Sequence, residues 1–110
     1  MAETFKNASL VDVDNSSADT LYTAPASTTS IVLGAAIANK SGNTVSCTLS
    51  FTDTSAGTTT DMLSAVQIPG NTTLEVLAGQ KYILETGDVL TALSDTASSI
   101  DITMGVLELS

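Results

Sequence analysis

The chain has 110 residues, 43% hydrophobic and only 14% charged, which leaves room for one domain with one modest core. Twelve acidic residues stand against three lysines, with no arginine and no histidine, for a net charge of -9. This balance argues against direct nucleic-acid binding, whose affinity rests on Lys and Arg, and against an anionic membrane surface. Thr, Ser and Ala fill the space that ions occupy in an average domain, and the aliphatic content is too high for a disordered chain.

The N-terminal third carries a weak pattern: Phe5 with Leu10, Val11 and Val13, then Leu21 and Tyr22 before Pro25. A strand is predicted over 30–38, with Ile31, Leu33, Ala35 and Ile37 on one face. Its other face, Val32, Gly34, Ala36 and Ala38, is apolar and small, as in a strand covered on both sides. Residues 39–43 make the next turn. Over 44–52, Val45, Cys47, Leu49 and Phe51 alternate with Ser46, Thr48 and Ser50, which is strand periodicity with one buried face.

A loop follows at 53–57, and Met62, Val66 and Ile68 lead to the turn Pro69, Gly70, Asn71, where glycine can supply a positive φ. Residues 61–67 could form one helical turn. Leu74 and Val76 belong to a strand ended by Ala78 and Gly79; Tyr82 and Leu84 share a face over 81–85; Thr86, Gly87 and Asp88 turn the chain into a strand over 89–93. In the last strand Ile100, Ile102, Met104 and Val106 alternate, and a bulge at Gly105 would put Leu107 and Leu109 on the opposite phase. Short apolar runs with a turn about every ten residues predict a single antiparallel β-sandwich of about eight strands over 1–110, with a jelly-roll character.

Little in the chain suggests catalysis. Without histidine, the commonest general base and metal ligand are both missing. Cys47 lies on the inward phase of its strand and reads as a small buried hydrophobe. No Gly-x-Ser-x-Gly elbow and no phosphate loop is present. Catalytic residues and cofactors are therefore expected to be none. Asp12, Asp14 and Asp19 supply oxygens that could suit calcium, although a solvated loop is the plainer reading. Asp53 and Asp61, flanking Thr58-Thr59-Thr60, could serve as a second oxygen-rich site, although turn capping is the plainer reading. Tyr22 and Tyr82 could stack on a sugar, but without tryptophan the platform is thin, and packing is the plainer reading. The four Asn-x-Ser/Thr sequons, at Asn7, Asn15, Asn39 and Asn71, carry little weight without a secretory signal.

No window nears the ~20 apolar residues of a membrane span. Residues 1–6 lack a signal-peptide layout, and a lone cysteine suits a reducing compartment, so synthesis in a cytosol is expected.

Several stretches form a familiar combination: Thr20-Leu21-Tyr22-Thr23-Ala24-Pro25-Ala26, Thr29-Ser30-Ile31-Val32-Leu33-Gly34, Asn39-Lys40-Ser41, and Ile68-Pro69-Gly70 with Leu74-Glu75-Val76-Leu77. Residues 80–90, with Leu84-Glu85-Thr86-Gly87-Asp88, and the terminal Val106-Leu107-Glu108-Leu109 complete it. The combination resembles small virion structural proteins of tailed bacteriophages, of marine and cyanobacterial type. The resemblance implies a non-enzymatic particle component, with a head decoration (cement) protein favoured over a neck, tail or fibre piece. It also implies other virion proteins as partners, the major capsid protein foremost, a homo-oligomer with a trimer favoured, and a place on the capsid surface after synthesis in the host cytoplasm. A carbohydrate or cell-surface binding module is the alternative. On this reading Val32, Gly34, Ala36 and Ala38, with Leu107 and Leu109, are the candidate interface residues.

Overall fold

The computed structural model describes residues 2–76 and 82–110, and among them lie nine strands and no helix. In chain order these are β1 (Glu3–Leu10), β2 (Asp19–Thr23), β3 (Thr29–Asn39), β4 (Val45–Asp53), β5 (Thr58–Ile68), β6 (Thr72–Val76), β7 (Tyr82–Leu84), β8 (Val89–Ser94) and β9 (Ile100–Leu109). The predicted strand end at Ala78 and Gly79, and Lys81, lie outside the described residues.

Every pairing is antiparallel, and the pairs nest. β4 pairs β5, β3 pairs β6 and β7, β2 pairs β8, and β1 pairs β9. The chain is thus one long hairpin, and rolling it up brings β9 against β3 and β8 against β4. The result is two sheets, β1-β9-β3-β6 with β7 also on β3, and β2-β8-β4-β5. This order is a jelly roll, as expected, with β6 and β7 following one another along the same edge of β3.

Alternating side chains from both sheets fill the space between them. Val32, Ile37, Leu84, Ile102, Met104 and Val106 meet Leu21, Cys47, Leu49, Leu90 and Ala92 in a single cluster. Residues 61–67, predicted as a possible helical turn, belong to β5 instead. Two register irregularities bring both Leu63 and Val66 opposite β4, a spacing that imitates a helix.

Two further sequence expectations need correction. The ladder between β1 and β9 is unbroken through Gly105, and Ile102, Met104, Val106 and Glu108 all point inward. The bulge lies in the neighbouring strand, between Val32 and Gly34, with Leu33 as the extra residue. Ile31 and Leu33 therefore do not share a face with Ala35 and Ile37, and Val32 is core, not interface. At 69–71 the positive φ (58°) belongs to Asn71. Gly70 is required there because its backbone crosses that of Gly42, where a Cβ would lie 2.6 Å from a carbonyl carbon.

The loops at one end are stitched by Asp88, whose buried carboxylate accepts Thr54 N–H at 3.1 Å and Glu85 N–H at 2.9 Å, with the Thr54 hydroxyl at 3.3 Å. Its backbone exchanges bonds with the β2–β3 loop: Ala24 N–H reaches Asp88 O, and Gly87 N–H, from a φ of 85°, reaches Ala24 O. Near the other end Asn39 has the same role, donating to the carbonyls of Asn43 and Ile68 and accepting from Ser41. Replacing Asp88 with Ala removes the acceptor of two half-buried hydrogen bonds, so D88A is expected to lose about 1–3 kcal/mol. Urea unfolding with an unchanged m-value would show it, whereas a loss under 1 kcal/mol would mean that the carboxylate is dispensable.

Candidate functional site

The registers place the outward side chains of the first sheet in rows that cross the strands. One row runs Phe5, Leu107, Ile31, Ile83 over β1, β9, β3 and β7. Leu109 lies in the next row, between Glu3 and Thr29. Leu33 projects from the bulge beside them. Phe5 is 73% exposed, Ile83 62% and Leu33 40%. Large apolar side chains are thus gathered on one exposed face.

Next to this row is a gap without side chains. Gly105 pairs with Gly34, and a Cβ at either would meet nothing within 4 Å. Two shallow depressions result, about 360 Å³ bounded by Leu33, Ala36, Glu75 and Thr103, and about 250 Å³ bounded by Phe5, Asn7 and Leu33. Leu33 is the wall between them. Ala36 and Ala38 continue the outward face of β3, opposite Thr103 and Asp101. Gly34, Ala36, Ala38, Leu107 and Leu109 therefore lie on one outer face. Sequence reasoning missed Phe5, Ile31, Leu33 and Ile83. The available signal was Phe5, an aromatic between Glu3 and Asn7 on a strand face that is otherwise polar.

The outer face of the second sheet has the opposite character. Its rows read Thr23, Val89, Thr52, Thr59 and Thr20, Thr91, Ser50, Asp61. Thr52 and Thr59 hydroxyls are 3.1 Å apart, and Ser50 donates to Asp61 at 2.8 Å. Hydroxyls that satisfy one another in water make this a solvent face.

The predicted metal candidates are employed in other ways. Asp12 pairs with Lys40, which also binds Asp101 at 3.0 Å. The Asp14 carboxylate accepts Ser16 N–H and hydroxyl, both at 3.0 Å, and those bonds hold it below the usual carboxylate range. Asp19 accepts Asp14 N–H at 2.9 Å. Among the described residues no group of His, Cys, Asp and Glu is arranged to hold a metal. Asp53 caps its turn through Ser55 and Ala56.

Tyr22 reaches from the second sheet across to the first. Its hydroxyl donates to Glu108 at 2.5 Å, so the Ser30 hydroxyl, 2.8 Å away, donates to it in turn. Lys6 closes the network 3.1 Å from the other Glu108 oxygen. Burial first, then Glu108, pushes the Tyr22 phenol up to about 12. Tyr22 and then Lys6 hold Glu108 below its ordinary value. Tyr82 packs against the core from its place opposite Val32. Neither tyrosine offers an outer-face platform for a sugar. Burial pushes the Cys47 thiol up to about 11, which makes it a poor nucleophile.

No protein-family model matches the chain, and no curated protein matches it. Among solved structures the chain is similar to the virus-like particle of the extra small virus of the giant freshwater prawn Macrobrachium rosenbergii, determined by cryo-EM. The identity is 15% and the TM-score 0.45, over 100% of this chain and 81% of that one.

Two outcomes follow from the buried groups. Because Glu108 has a depressed pKa, its network stabilises the fold above about pH 4.5, the ordinary value, and that contribution is lost as pH falls through the lowered value. Y22F is expected to lose about 1–3 kcal/mol at neutral pH and to flatten the acid limb of stability against pH. An unchanged acid limb would assign the dependence to other carboxylates. Cys47 should react with a thiol reagent at the rate of unfolding; rapid labelling of the native protein would contradict its burial.

Proposed function

We propose that this chain is a non-enzymatic structural component of a tailed-bacteriophage virion, in the first instance a decoration protein on the outside of the head. The observation that carries the reading is the difference between the two outer faces. One presents the row Phe5, Leu107, Ile31, Ile83 with Leu33; the other is mostly threonine and serine hydroxyls, with Val89 and Leu93 half-buried among them. A particle component needs a face that leaves water on assembly and another that stays wet. The jelly roll, a topology that viral shells use, supports the reading as analogy of fold. The sequence resemblance supports it too.

The side-chain chemistry points the same way. Tyr22 and Cys47, the groups whose ionisation is most displaced, are spent inside the sandwich, and the displacement opposes reactivity. The net charge of -9 keeps free copies soluble before assembly and leaves adhesion to apolar contacts and hydrogen bonds. The partner on the particle is accordingly a protein surface with an exposed apolar patch, which on a head is the major capsid protein.

Gold-tagged antibody against the chain, applied to particles of the source phage, is expected to label the head. Label confined to the neck or tail would move the assignment to an adaptor or fibre piece, and the absence of label would overturn the virion reading. I83E should fold normally, since Ile83 is mostly exposed, yet be recovered on particles at least about tenfold less than the parent. Equal recovery would show that this face is not the contact.

A further inference from the structure

The edges of the two sheets differ in how well they are guarded. β5 carries two register irregularities and a positive φ of 48° at Ala65. β2 is five residues long with a register shift, and β6 and β7 are short segments of five and three residues. β1 has none of these protections. It runs unbroken for eight residues without proline, and among the described residues its only strand partner is β9. A long, regular edge of this kind can serve as a template for another strand.

The free groups on that edge can be identified. Ala2 N–H donates to Ser110 O at 2.8 Å and Ser110 N–H to Ala2 O at 2.9 Å, a mutually bonded pair at the end of the ladder. Bonded and non-bonded pairs alternate in an antiparallel ladder, so Thr4, Lys6 and Ala8 also face β9. Glu3, Phe5, Asn7 and Ser9 therefore turn their N–H and C=O groups to the open edge. The same residues carry the outward side chains of β1.

Charge identifies the occupant. Of the 12 acidic residues only Glu3 lies in β1, together with Lys6, one of three lysines. Lys6 is spent on Glu108, so on a chain of net charge -9 this edge keeps one uncompensated charge, Glu3, and a second copy can approach wherever the two Glu3 side chains stay apart. We propose that two copies of the chain pair through β1, antiparallel across a two-fold axis, with Phe5 opposite the second copy's Phe5. This register sets Glu3 opposite Asn7 and Thr4 opposite Lys6, and forms about six backbone hydrogen bonds. Sliding by one further bonded pair would put Lys6 directly against Lys6 at a close pair, where like charges repel. The chosen register also joins the two apolar rows end to end, with an aromatic pair at the junction.

The pairing belongs to the isolated chain and does not depend on the virion reading, so its failure leaves that reading in place. Light scattering of the eluting protein over a concentration series is expected to give a dimer; a monomer throughout, or a trimer, overturns the proposal. Phe5→Cys should form a covalent dimer on oxidation, since the bonded-pair spacing of about 5.5 Å suits a disulfide, whereas Lys6→Cys should not. Faster cross-linking at Lys6→Cys would refute this register. Asn7→Pro removes an edge-facing donor and spares the β9 ladder, so the dimer dissociation constant should rise at least about tenfold with an unchanged circular dichroism spectrum. A dimer of undiminished strength in that variant would mean that copies meet elsewhere.

Discussion

Strand β3 is alternate in its burial except at one place, and most of the surface chemistry depends on that place. Before Leu33 the buried residues are Ser30 and Val32; after Gly34 they are Ala35, Ile37 and Asn39. The extra residue turns Ile31 outward into the row with Leu107 and Ile83, and leaves Leu33 standing between two depressions. It also allows β9 to stay in a single phase across ten residues while its neighbour does not. Without the bulge either Val32 or Ile37 would leave the core, because a one-residue slip moves every later side chain to the other face.

Keeping β9 in phase has a polar consequence. After Ile102, Met104 and Val106, the next inward residue is Glu108, and a carboxylate between two sheets needs partners. Tyr22 supplies one from the opposite sheet and Lys6 another from the adjoining strand. The edge strand β1 is thus tied to the interior by an ion pair as well as by its ladder. Asp88 and Asn39 apply the same logic to loops, where one side chain satisfies backbone groups that the turns leave unpaired.

Much of this was legible in the amino-acid order. The alternation of Val45, Cys47 and Leu49 identified β4 and its buried face, and the turn signals identified the sandwich. β5 was obscured because an edge strand with an exposed face has a weak period, and its irregularities moved Leu63 and Val66 into helix-like spacing. The bulge was read from the phase of Leu107 and Leu109 within the last strand and placed at Gly105, whereas it lies in β3. Gly105 invited it, while Leu33 gave no local sign. Of the candidate interface residues, Gly34, Ala36, Ala38, Leu107 and Leu109 point outward, and Val32 points into the core for that same reason. Partners such as Asp88 and Thr54, 34 positions apart, are set by the rolled topology and have no signature along the chain.

The position of β9 also governs the order of events during synthesis. Among the described strands it follows the other eight in the chain, yet it lies between β1 and β3 in the finished sheet. β1 has no ladder of its own until β9 arrives, and the inner hairpin of β4 and β5 is the part able to form early. A ribosome carrying most of this chain therefore holds two strands of the first sheet with their central neighbour missing. Folding of that sheet waits for β9, and the interval before it closes the sheet is when the open strands are most exposed to wrong partners.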